Sequence, residues 1–291
     1  MRKRGFFYWI TKMILYKYVS FEAGLKILET STLGFSHLED FNDPFEGTGL
    51  GLYDLDVSLS VAINAFRNRF SRKYCILSLT RTALNPLMWS HYADSYKGMV
   101  IGIDTEKAGS ENIDQYVIPA QKGEVRYLKT VPKGVNAANI DNLLSIGNSS
   151  LLNWQVNENL LKHGFLYKMQ EWTYEEEVRI VKNISSANIG YHYSTQREFE
   201  LNGQLWHRVE LLTRPIYTTK IPKEAFVDVT LGLSTYQELK RLQERETQQF
   251  NPEKVERLEK LFAWIGLMNL PTYRIERDNQ DWALKRKKMT R

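Results

Sequence analysis

The sequence is poor in cysteine, in clustered histidine and in long apolar runs, and each shortage excludes something. Its single cysteine, Cys75, rules out an internal disulfide. That residue sits in the apolar run Tyr74–Leu79 and reads as a small buried hydrophobe. One thiol fits a reducing compartment, and a cytoplasmic location is expected. The five histidines, His37, His91, His163, His192 and His207, are scattered, so they lack the paired spacing of a zinc site, and no metal is expected. No stretch reaches the roughly 18 apolar residues of a membrane span. The opening Arg2–Ile10 imitates a signal peptide, but it breaks at Thr11 and Lys12 without a small-residue cleavage site. Residues 1–12 read as an N-terminal extension, with Met13 an alternative start. Gly47, Gly49 and Gly51 alternate without a following Lys-Ser or Lys-Thr, which matches neither nucleotide fingerprint. Ser78 or Ser90 with His91 lacks the nucleophile-elbow sequence of a hydrolase triad.

What is present is an ordinary globular composition: 291 residues, 43% hydrophobic and 25% charged, enough for a large core. The net charge of +5 lies largely at the ends, in Arg2–Arg4 and in Lys285–Lys288 with Arg291. The C-terminal cluster reads as a solvated basic tail, with nucleic acid as the partner it would suit.

The stretch Asn85–Asp94 lies between two apolar runs, Tyr74–Leu79 and Met99–Ile103, that read as buried strands. Asn85-Pro86 is a helix start, because proline tolerates the first turn. The unit is therefore strand, short helix, strand. Before it, Ile14–Val19 reads as a strand and Ser20 as the cap of a helix from Phe21 to about Glu29. Leu33–Ser36 is a short strand, and Glu39–Glu46 a turn-rich loop pinned by Phe41 and Phe45. Leu55–Arg67 has helical spacing. After it, Gly123–Tyr127 and Glu177–Lys182 read as strands, with 139–166 a helical insert and Glu171–Glu176 a helical turn. Asn202-Gly203 marks a hairpin. Phe226–Gly232 is a core strand. Two charged helices follow at Thr235–Gln248 and Pro252–Leu261, then strand Leu270–Glu276 with Trp282–Leu284 as its hairpin partner. The expected fold is an α+β domain with a mixed or antiparallel sheet and peripheral helices, spanning 13–235, followed by C-terminal helices, hairpin and tail over 236–291.

Two segments carry the chemistry. On the 86–92 helix, Leu87, Ser90, His91 and Asp94 share a side, so Asp94 can orient His91. That arrangement suits either a structural histidine or a ligand contact by His91 or Tyr92. In Glu175–Arg179, strand alternation puts Glu175 and Glu177 on one face and Glu176 on the other. Glu177 and Arg179 also share a face, so a fixed carboxylate–guanidinium pair is available to stabilise a sugar oxocarbenium ion or activate a hydroxyl. Tyr16 and Tyr18 share one face of the first strand and Lys17 takes the other. The turn at Asn42 and Asp43 lines the cleft. The contact expected is between Trp89–Asp94 and Glu175–Arg179 across one cleft.

The motifs Leu15–Tyr18, Phe41–Glu46, Cys75–Leu79, Asn85–Asp94, Trp172–Arg179 and Val227–Gly232 together resemble the bacterial domain of unknown function 2971, over about residues 14–235. The order of the first strand, helix and Leu33–Ser36 is similar to the start of ADP-ribosyltransferase-like domains. That resemblance implies NAD as cofactor and a role in bacterial or phage conflict. It places Tyr18 or Lys17 in the first-strand role, where the usual His or Arg is absent, Tyr92 or His91 in the middle role, and Glu177 in the late acidic role. Candidate catalytic residues are thus Glu177, His91 and Tyr92. Candidate cofactor-binding residues are Tyr16, Lys17, Tyr18, Asn42, Asp43, Trp89 and Arg179. The alternative is a non-enzymatic nucleotide- or nucleic-acid-binding module. A third reading is a nuclease or phosphodiesterase using His91.

Overall fold

A computed structural model describes residues 12–50, 60–132, 142, 144–148, 150–184, 197–211, 214–243 and 252–289. The first strand, β1 (Ile14–Val19), runs into Ser20, whose hydroxyl accepts the Ala23 N–H and caps α1 (Phe21–Thr30). Leu25 and Leu28 bury the inner face of that helix, and Ser31 ends it in the left-handed conformation at φ 51°. β2 (Thr32–Phe35) follows, then α2 (Ser60–Lys73), β3 (Tyr74–Thr80), α3 (Pro86–Tyr92) and β4 (Met99–Asp104). Asn85 caps α3 by accepting from the Leu87 and Met88 N–H groups, with Pro86 in the first turn as its chemistry allows. β5 (Arg126–Leu128) precedes α4 (Ser150–Leu161), a π-helical turn at Lys162–Leu166, β6 (Tyr167–Met169), a 3-10 turn at Gln170–Glu175 and β7 (Glu177–Asn183). The remainder is β8 (Glu198–Leu201), β9 (Gln204–Leu211), β10 (Arg214–Lys220), β11 (Phe226–Leu231), α5 (Leu233–Gln243), α6 (Pro252–Leu267), β12 (Thr272–Asp278) and β13 (Ala283–Lys288).

The fold is α+β. A mixed seven-stranded sheet has the order β13-β12-β11-β4-β1-β3-β7, antiparallel throughout except for the parallel β11–β12 pair. A four-stranded antiparallel sheet, β2-β10-β9-β8, packs its Trp206, Phe199 and Tyr217 into the main core beside Phe35. Every residue of β4 and of β7 is buried. For β4, Met99–Ile103 supplies the continuous apolar run that burial on both faces demands. β7 is different, because it buries three charged residues: Glu177 and Arg179 on one face and Lys182 on the other.

One irregularity positions the site. β1 pairs with β4 from Ile14 to Val19, and β3 pairs with β7 from Tyr74 to Thr80, yet β1 and β3 meet at one register pair, Tyr16 with Thr80. The sheet splits there, and the gap opens into a cavity.

The structure departs from the sequence reading at several places. The basic run Lys285–Lys288 keeps three exposed lysines but is part of the sheet rather than a free tail. It lies in β13, paired with β12, and its Arg286 reaches Asp228 at 2.7 Å and lies over the Tyr273 ring. β10 was not expected, since Arg214-Pro215 and a Thr-rich run hide it. α2 runs on to Lys73, whereas Leu55 and Leu59 lie outside the described residues. The strand expected at 123–127 forms at Arg126–Leu128, and Ile118 makes only an isolated bridge to Val181. In the insert, the described helix begins at Ser150 and kinks at Asn157. Phe45 is 51% exposed and anchors nothing, while Phe41 packs against the second core cluster. No described helix is long and apolar enough to cross a membrane.

Candidate functional site

The cavity at the β1–β3 split has a volume of about 360 Å³, within the range of small-molecule sites. Tyr16, Lys17 and Tyr18 of β1 form one wall, and Ser78, Leu79 and Thr80 of β3 the other. The loop at Asp40, Phe41 and Asn42 borders it, with Met88, His91 and Tyr92 of α3. Lys168, Glu175 and Glu177 complete the lining.

Behind this lining lies a buried ionic network. Arg179 donates from Nε to Glu177 Oε1 and from Nη2 to Glu177 Oε2, both at 2.9 Å. Its Nη1 and Nη2 also grip Glu46 Oε2 at 2.9 Å and Glu46 Oε1 at 2.5 Å, and Nη1 reaches the Phe165 carbonyl at 2.7 Å. All five guanidinium N–H groups are thereby used. Lys168 donates to Glu175 at 2.5 Å and to Glu177 at 3.3 Å, and lies 3.7 Å from Glu46. No side chain in this set is more than 5% exposed, so pairing has to offset the desolvation of five charges.

The two lining carboxylates are driven in opposite directions. Burial opposes ionisation of Glu177, but the charges of Arg179 and Lys168 outweigh it and hold the carboxyl well below its ordinary value. Burial raises Glu175, and the nearby Glu177 charge adds to that rise, with Lys168 only partly offsetting it. Divergent carboxyl environments of this kind separate acid and base roles. Tyr92 ties the pair to the cavity mouth. Its hydroxyl donates to Glu175 Oε1 at 2.5 Å and accepts from Asn42 Nδ2 at 3.0 Å. Burial and then Glu175 raise the Tyr92 phenol, so it remains a proton donor.

Lys17 faces this group from across the split. Its Nζ donates to the Ser78 carbonyl at 2.9 Å, where the strand ladder stops. Burial lowers its pKa to about 8, with the Glu177 charge pulling the other way. The residue as a whole is half-buried, but its ammonium end sits inside the gap, and that local environment sets the direction.

The structure therefore brings seven of the sequence-expected residues to one cavity: Tyr16, Lys17, Tyr18, Asn42, His91, Tyr92 and Glu177. It leaves three outside the lining. Trp89 is fully buried, donates Nε1–H to the Ala83 carbonyl at 2.9 Å and meets the Tyr18 ring edge-on. It is packing, because the inner face of a seven-residue helix must be covered. Asp43 accepts the Phe45 N–H at 2.9 Å and shapes the turn. Arg179 lies behind Glu177 and reaches the cavity only through it. Asp94 does not orient His91, since it falls in the turn after α3 at φ 47° and is exposed. The segments 89–94 and 175–179 do face one another, through Tyr92–Glu175, and just outside them Asn85 Nδ2 donates to the Tyr174 carbonyl at 2.8 Å.

Sequence reasoning missed Lys168 and Glu46 as partners of the site. Glu46 meets Arg179 across 133 positions, and only the loop Phe41–Glu46 hinted at a held carboxylate. Lys168 lies on a three-residue strand whose partner, β5, is distant in sequence. Among the described residues no cluster of His, Cys, Asp and Glu is arranged to hold a metal ion.

Residues 88–180 match the model of a family described as Protein of unknown function (DUF2971). Over these residues, about a third of the chain, the sequence is similar to that family. The matched segment runs from α3 into β7 and supplies Met88, His91, Tyr92, Lys168, Glu175, Glu177 and Arg179. β1, β3 and the Asp40–Asn42 loop, which complete the cavity, precede it. No curated protein and no solved structure matches the chain.

Proposed function

We propose that the cavity binds a nucleotide of the NAD type and that the chain is an ADP-ribosyltransferase-like enzyme breaking a glycosidic bond beside Glu177. The observation that carries this reading is the lining of one cavity by Tyr16, Tyr92 and His91 together with Glu177, a carboxylate held ionised by Arg179 and Lys168. Cleavage of a glycosidic bond develops positive charge on the sugar, and a fixed carboxylate stabilises that charge where water is excluded. In this reading the aromatic side chains flank the nicotinamide, Lys17 meets a phosphate or ribose oxygen, and Arg179 positions Glu177 without touching the ligand. Glu175 and Tyr92 hold the proton that a departing or entering group exchanges. A specific observation also favours the binding-module reading: both oxygens of Glu177 are already engaged by Arg179 and Lys168.

The test is incubation with NAD labelled on the adenylate, with protein, DNA and RNA offered as acceptors. Nicotinamide release and label transfer are followed for the native chain and for Glu177→Gln. The enzyme reading expects turnover that falls roughly 10²–10⁴-fold in the variant, the usual range for loss of a catalytic acid or base. Absence of NAD cleavage and transfer in the native chain, with NAD binding retained, leaves the binding module. Absence of binding as well overturns both.

A further inference from the structure

We infer that Lys17 is an amine nucleophile, forming an imine with the aldehyde form of a sugar or sugar phosphate held in the cavity. The inference rests on the sugar-nucleotide reading of that cavity, but it assigns a group that reading does not need.

The geometry comes first. Lys17 projects from β1 where the β1–β3 ladder gives out, and its Nζ has a backbone carbonyl, that of Ser78, as its hydrogen-bond partner. Among the described residues no carboxylate lies within ion-pair distance of it, although Glu177 lines the same cavity. Lys168, by contrast, is ion-paired to Glu175, Glu177 and Glu46 and is raised despite its burial, since those carboxylates outweigh it. The two lysines of one cavity are thus differentiated: one is fixed as a cation, the other is desolvated and unpaired. A lysine desolvated in a pocket with no ion-paired carboxylate is an arrangement that frees an amine for carbonyl chemistry. With a pKa of about 8, roughly a tenth of the Lys17 amine is unprotonated at pH 7, against under ~0.1% for an ordinary lysine. Leu79, Phe41 and Met88 add apolar lining to the same cavity, and the Glu177 charge acts on Lys17, so it would favour an iminium cation there.

The step balances without any further reactant. Nζ gives up a proton to solvent, and its lone pair adds to the aldehyde carbon. The carbonyl π pair moves to oxygen, which takes a proton while the cationic nitrogen releases one to solvent, giving a neutral carbinolamine. The resulting hydroxyl takes a second proton and leaves as water, and the nitrogen lone pair forms the C=N bond.

The experiment is reductive trapping. The native chain is incubated with ribose 5-phosphate and cyanoborohydride at pH 6 to 9, digested, and mapped by mass spectrometry. Lys17→Arg keeps the charge and Lys17→Met removes it; thermal melting checks that each is folded. NAD consumption is measured in parallel. The expected result is a reduced adduct on Lys17 in at least ~10-fold excess over exposed lysines such as Lys26 and Lys220, increasing through pH 8 and absent from both variants. That adduct without NAD cleavage supports the inference and removes the enzyme reading. NAD cleavage without a Lys17 adduct overturns the inference alone. Absence of both overturns both, and modification of Lys17 no faster than of exposed lysines also overturns the inference.

Discussion

Replacing Arg179 by methionine removes the group on which the buried network turns. Arg179 is fully buried and its five N–H donors engage Glu46, Glu177 and the Phe165 carbonyl. Methionine fills much of the volume and supplies no donor. Glu46, Glu175 and Glu177 then face Lys168 alone. Breaking a buried pair by removing one partner costs about 3–5 kcal/mol, because the other charge is left desolvated. For a chain of this size that corresponds to a fall in Tm on the order of 10 °C at pH 7. The pH dependence identifies the cause. In the native chain Glu177 is depressed below its ordinary 4.5, so its contribution is complete above that pH and is lost as pH falls through the folded value. In Arg179→Met the same carboxyl is raised, and it destabilises the fold until acid protonates it. The difference between the two proteins therefore shrinks from pH 7 to pH 4. Thermal melts across that interval are the assay. A fall below about 2 °C at pH 7, or a gap that stays constant or widens in acid, refutes the electrostatic account.

Three further substitutions test neighbouring parts of the argument. Tyr92→Phe leaves Glu175 Oε1 without its donor and is expected to cost about 1–3 kcal/mol by chemical denaturation, with reduced NAD turnover. Asn85→Ala removes both the α3 cap and the bond to the Tyr174 carbonyl; a loss of about 0.5–2 kcal/mol is expected, with Asn85→Asp falling between it and the native chain because the cap survives. Gly123→Ala places a Cβ 1.9 Å from the Arg179 carbonyl, so the backbone of β7 has to move; a loss of about 3 kcal/mol is expected, visible as weaker protection of the Arg179 amide in hydrogen exchange.

The sequence made local units legible and long-range pairings obscure. β1, α1, β3, α3 and β4 follow from apolar runs and caps, and Asn202-Gly203 adopts the two positive φ angles of its hairpin turn. The pairing of Glu177 with Arg179 follows from strand alternation. Glu175 shares their buried side for another reason: it ends a 3-10 turn, and Glu176 takes a left-handed conformation at φ 45° that turns the chain outward. Trp89 was misread because a tryptophan on a short helix looks alike whether it faces a ligand or a core. The basic run at the C-terminus was misread because its strand character depends on β12, which lends it a partner and lets Arg286 reach Asp228. Glu46 was hinted at only by its loop, and Lys168 by nothing local, because their pairing with Arg179, Glu175 and Glu177 is made only in the folded chain.

The central claim is that the cavity between β1 and β3 is a nucleotide site, and a crystal structure of the protein grown with millimolar NAD tests it most directly. The account predicts ligand density between Tyr16, Tyr92 and Glu177, with the ribose nearest Glu177 and Lys17 in contact with a ligand oxygen or carbon. Density at another surface, or a cavity holding only solvent under those conditions, contradicts it.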